Sequence, residues 1–153
     1  MKKANTILIS LIFGLLVSIT ISILILSILS VSIGSSTDKW LYYVLLIPTM
    51  IVFGFLGSYF HNKELDNLKN IEIWKISLIS VLSIGLTSSI IGGIISDVIK
   101  IGNLQAINYK GRILWGFIYS ITSLPITIII GKLIIIIFIR LIKSIKSPTP
   151  TKK

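Results

Sequence analysis

The stretch ILISLIFGLLVSITISILILSILSVSI, residues 7 to 33, runs 27 residues without a charged side chain. An α-helix needs about 20 apolar residues to cross a bilayer core about 30 Å thick. Three further runs have the same character: Leu41–Phe60, Ile76–Ile95 with its span reaching Asp97, and Ile113–Ile139, which only Lys132 interrupts. Lipid is therefore the solvent against which the other residues are read.

Composition agrees. Hydrophobic residues make up 54% of the 153 residues and charged ones 13%, about half the share usual in water-soluble domains. No loop approaches the roughly 40 residues that even a marginal soluble domain needs. The expected fold is all-α, an integral membrane four-helix bundle with both termini in the cytoplasm. Residues 1–146 form one membrane domain with spans at about 7–33, 41–60, 76–97 and 113–139, and 147–153 form a disordered basic tail with two prolines. The first span is too long for the roughly 7–15-residue core of a signal peptide and is expected to stay as an uncleaved anchor.

Lysine and arginine set the threading. Lys2, Lys3, Lys63, Lys69, Lys75, Arg140, Lys143, Lys146, Lys152 and Lys153 fall on one side, against Lys39, Lys100, Lys110 and Arg112 on the other. Ten against four favours a cytoplasmic location for the first set. Trp40, Tyr42, Tyr43, Tyr59, Trp74, Tyr109 and Trp115 mark the span limits, because amphipathic rings prefer headgroup depth. The net charge of +10 is accounted for by orientation and by contact with anionic headgroups. Nucleic acid is not expected as a partner, since no basic helix with interleaved aromatics lies outside the spans.

Between helices already in lipid, close backbone approach supplies the contact that hydrophobic burial cannot. Small residues recur at every fourth position: Ser10, Gly14, Ser18 and Ser22 in the first span, Gly85, Ser89 and Gly93 in the third with Ser88, Gly92 and Ser96 beside them, and Gly116 and Ser120 in the fourth. These are the expected helix-packing faces. Pro48 and Pro125 each remove a backbone hydrogen bond inside a span and are expected to bend it.

Two ionisable residues lie within spans, and such residues are functional candidates by default. Asp97 closes the third span, where it reads as an interfacial acid. Lys132 sits about 12 Å short of Arg140, a depth from which its stem can snorkel. In antiparallel helices Asp97 stands level with about Trp115, which leaves Lys132 about 25 Å away. These two charges should not meet.

The residues exclude most chemistries. There is no cysteine and only one histidine, His61, so the usual zinc and haem ligand sets cannot form from this chain. No phosphate-binding glycine loop or metalloprotease motif is present. No catalytic, metal or cofactor residue is therefore assigned, and an enzyme is not expected. The expected role is that of a non-catalytic accessory, assembly, immunity or scaffold protein of the cell membrane. Its partners would be membrane lipids and either itself or a larger membrane protein. The alternative is a small oligomeric transporter, flippase or pore.

Overall fold

The structure is a computed structural model that describes residues 3–33, 40–102 and 108–146. The described residues form four helices and no strand: α1 (Lys3–Ile33), α2 (Trp40–His61), α3 (Asn70–Ile101) and α4 (Tyr109–Lys146). All four are long and apolar enough to cross a membrane. The tail expected to be disordered, 147–153, lies outside the described residues. α3 begins at Asn70, before the apolar run at Ile76, and α4 continues past Ile139 to Lys146. α2 and α4 run unbroken through Pro48 and Pro125.

Local chemistry sets the ends near one turn. α3 stops at Gly102, whose φ of 70° is left-handed and whose N–H donates to the Val98 carbonyl at 2.9 Å. Glycine carries no Cβ penalty there. Asn108 caps α4, its Oδ1 accepting from the Gly111 N–H at 3.0 Å. At the other end of α3, Glu72 lies in the first turn, where a carboxylate complements the helix dipole.

The helices pair as two hairpins, and each seam is built on glycine. On α1, Thr6, Ser10, Gly14, Ser18 and Ser22 are buried in one row. A Cβ on Gly14 would stand 3.1 Å from the Met50 Cα and 3.1 Å from the Thr49 carbonyl oxygen, and one on Gly57 would stand 2.0 Å from the Ser10 Oγ. In the second hairpin, a Cβ on Gly116 would meet the Ile90 Cγ1 at 2.7 Å, one on Gly131 the Val81 Cγ2 at 2.3 Å, and Gly85 faces the Ser120 hydroxyl. These contacts bring the two backbones of each hairpin together, which is where dispersion acts between helices in lipid.

The two hairpins are joined at one end. Phe138 of α4 lies with its ring centroid 5.1 Å from Phe13, 5.1 Å from Phe53 and 6.0 Å from Phe60. Ile135, Ile139, Ile142 and the connector residue Leu65 complete this core, with Ile73 and Ile76 of α3 against it. The same stripes become exposed farther along. On α1, Phe13 and Val17 pack here, whereas Thr20 and Leu24 are exposed; on α3, Ile76 and Ser80 give way to exposed Thr87 and Ile91. The bundle is thus two tight hairpins clasped at the connector end.

Candidate functional site

Span-embedded hydroxyls must find acceptors, since lipid offers none. Most reach back four residues: Ser10 to the Thr6 carbonyl at 2.6 Å, Ser77 to Ile73 at 2.7 Å and Ser120 to Gly116 at 2.8 Å. The Oγ atoms of Ser18, Ser22 and Ser88 are buried without a partner. Ser10, Gly14, Ser18, Ser22, Gly116 and Ser120 are buried, and Gly85 and Ser89 are half-buried. The surroundings of Gly93 and Ser96 lie outside the described residues.

Asp97 and Lys132 do not meet. Asp97 is 8% exposed and accepts two hydrogen bonds from the Arg112 guanidinium, one from Nε at 2.6 Å and one from the second terminal nitrogen. This fork-to-fork pairing suits a planar guanidinium and a carboxylate. Asp97's partner is therefore one turn from the Trp115 level expected for it. Lys132 instead places its Nζ 4.2 Å from the centroid of the Trp74 ring, at the first turns of α3. The 23 positions from Trp74 to Asp97 span about 34 Å of helix, close to the hydrocarbon thickness of about 30 Å. The two charged sites of this hairpin are thus about one bilayer core apart along the helix.

Compared with known proteins, the chain matches no family model, no curated protein and no solved structure. The candidate site rests on geometry alone.

The connector end brings polar groups from all four helices together. Thr6 Oγ1 stands 3.0 Å from His61 Nδ1, linking α1 to α2. Lys146, at the end of α4, donates to the Phe60 carbonyl at 2.7 Å and the Lys63 carbonyl at 3.2 Å. Carbonyls at a helix C-terminus lack intrahelical donors and carry partial negative charge, so a lysine satisfies both needs. Lys63 pairs with Glu72 of α3 at 3.3 Å, and Lys143 pairs with Asp66. The hydrogen bond from Lys63 to the Tyr59 hydroxyl, 3.0 Å long, raises the lysine pKa, and Glu72 adds to the effect against desolvation.

Sequence reasoning singled out Asp97 and Lys132 but missed Arg112, Trp74, Thr6, His61 and Lys146 as their counterparts or as links. A signal existed for the first two. Asp97 and Arg112 flank the same turn, and Trp74 and Lys132 lie at similar distances back from it. No sequence signal marked Lys146 as the residue that closes α2, because that contact depends on how one hairpin rests on the other.

Proposed function

We propose that this is a non-catalytic integral protein of the cell membrane, with both termini in the cytoplasm. It acts as an accessory, assembly, immunity or scaffold protein through contacts with lipid and with a larger membrane protein or a second copy of itself. One observation carries this reading. Of the two ionisable groups within the spans, Asp97 is held by Arg112 inside the chain, and Lys132 lies over the Trp74 ring with no acid beside it among the described residues. A carboxylate forked onto a guanidinium of the neighbouring helix suits a fixed strut between α3 and α4. The long rows of exposed isoleucine and leucine on α1 and α4 offer broad apolar faces to lipid or to partner helices. The basic connector end, with ten of fifteen cations on its side in sequence, supports placing that end in the cytoplasm.

The decisive experiment is purification of the tagged full chain in mild detergent. Recovery of a larger membrane protein in fixed stoichiometry is the expected result. In parallel, Asp97→Asn and Lys132→Gln are expected to leave any flux or growth phenotype unchanged while the protein inserts normally. Loss of flux with normal insertion would overturn the scaffold reading in favour of an oligomeric transporter, flippase or pore. Tags at the two chain ends reachable from outside intact cells would overturn the orientation.

A further inference from the structure

Two kinds of cation lie near Lys132 at the connector end. Lys63, Lys143 and Lys146 are consumed within the protein, by Glu72, by Asp66 and by the end of α2. Lys75 and Arg140 are exposed and pair with no acid among the described residues. Lys132 has only the Trp74 ring beneath it. A ring face attracts the charge, but it leaves the three N–H donors of the ammonium without an acceptor. Lys132 is half-buried and Trp74 is half-buried, so water reaches these donors only in part.

Their placement is specific. Trp74 lies in the opening turns of α3, the depth that tryptophan prefers at a membrane edge. Lys75 follows it directly. Arg140 lies eight positions beyond Lys132 on α4, about 12 Å along the axis and within a quarter turn of the same face. A half-buried donor group at headgroup depth, flanked by two unpaired cations, calls for an anionic acceptor with an apolar body beneath it. The exposed Ile79 of α3 and Ile129 and Leu133 of α4 provide apolar surface below.

We infer that the α3–α4 hairpin holds the phosphate of an anionic phospholipid between Lys132, Lys75 and Arg140, with Trp74 as the floor of the site. This rests on the lipid-contacting role proposed above and names the lipid class and the face.

The chain contains three tryptophans, so Trp40→Phe together with Trp115→Phe leaves Trp74 as the sole reporter. That protein is reconstituted into phosphatidylcholine vesicles containing equal fractions of either brominated phosphatidylglycerol or brominated phosphatidylcholine, and quenching of Trp74 is compared. The anionic lipid is expected to be preferred by about fivefold for each contributing cation, the factor matching about 1 kcal/mol per basic residue at an anionic surface. Lys132→Gln should lower the preference by about that factor. Lys75→Gln and Arg140→Gln, each made alone, should lower it by a similar factor while leaving the Trp74–Lys132 contact and the fold in place. Lys3→Gln, on α1, should change nothing. Equal quenching by the two lipids would overturn the inference. So would a preference untouched by Lys132→Gln, or one abolished by inorganic phosphate at constant ionic strength, which would assign the site to the free ion. Lost lipid preference with partner recovery intact sinks this inference alone, whereas retained preference with no partner sinks the scaffold reading alone.

Discussion

Asp97 and Arg112 lock the turn end of the second hairpin, and the two partners share the cost of burial unequally. The carboxylate side chain is 11% exposed and the guanidinium side chain 39%. Arg112→Gln strands a buried anion, whereas Asp97→Asn frees a cation that can turn toward headgroups and water. Exposed pairs contribute up to about 1 kcal/mol and broken buried pairs cost about 3–5 kcal/mol. Arg112→Gln is therefore expected to lose about 2 kcal/mol in reversible unfolding from detergent, with Asp97→Asn losing clearly less. Equal losses, or the reverse order, would show that burial does not set the cost.

Gly57 is the tightest point of the α1–α2 seam. Its missing Cβ would stand 2.5 Å from the Ser10 Cβ and 3.3 Å from the Thr6 carbonyl oxygen. Overpacking of this kind costs about 1–3 kcal/mol. Gly57→Ala should separate α1 from α2, measured as lost stability and weaker cross-linking across the seam. Adding Ser10→Gly should restore most of it. Gly85→Ala, whose Cβ would lie 3.3 Å from a movable Ser120 hydroxyl, should cost much less. If Gly57→Ala proves as mild as Gly85→Ala, the seam is looser than described.

Phe138 connects the hairpins through three aromatic neighbours on α1 and α2. In a water-soluble core, Phe→Ala costs about 3–5 kcal/mol. The loss here should be smaller, because lipid tails are as apolar as the ring's neighbours. Phe138→Ala should widen distances between spin labels placed on opposite hairpins while leaving distances within the α1–α2 hairpin unchanged. Unchanged spacing between hairpins would mean that the clasp lies elsewhere.

Lys146 holds the end of α2 by donating to two carbonyls. A hydrogen bond of this kind contributes about 1 kcal/mol net, equivalent to about fivefold in local opening. Lys146→Met should speed amide exchange in the last turn of α2 by about that factor. Lys146→Arg should keep most of the protection. Exchange that is insensitive to both substitutions would show that α2 ends without help from α4.

Several features were legible from the residues alone. The four helices and the separation of Asp97 from Lys132 follow from hydropathy and helical rise. So does the placement of Ser10, Gly14, Ser18 and Ser22 on one face, a consequence of four-residue spacing. The grouping of Thr6, His61, Lys63, Glu72 and Lys146 did not follow. The partners bonded there lie up to 86 positions apart, and no periodicity links a lysine on one helix to a carbonyl on another.

Sequence by itself determined that the chain forms four helices long and apolar enough to cross a membrane. The physical reason is that lipid leaves backbone groups no partner outside the helix, so about 20 apolar residues in a row have one spanning structure open to them. Only the tertiary structure decided that Arg112 takes Asp97, that Trp74 takes Lys132 and that the hairpins touch around Phe138. Spans that are apolar on every side leave each helix free to rotate about its own axis, and that rotation, set by packing against neighbours, is what brings particular side chains together.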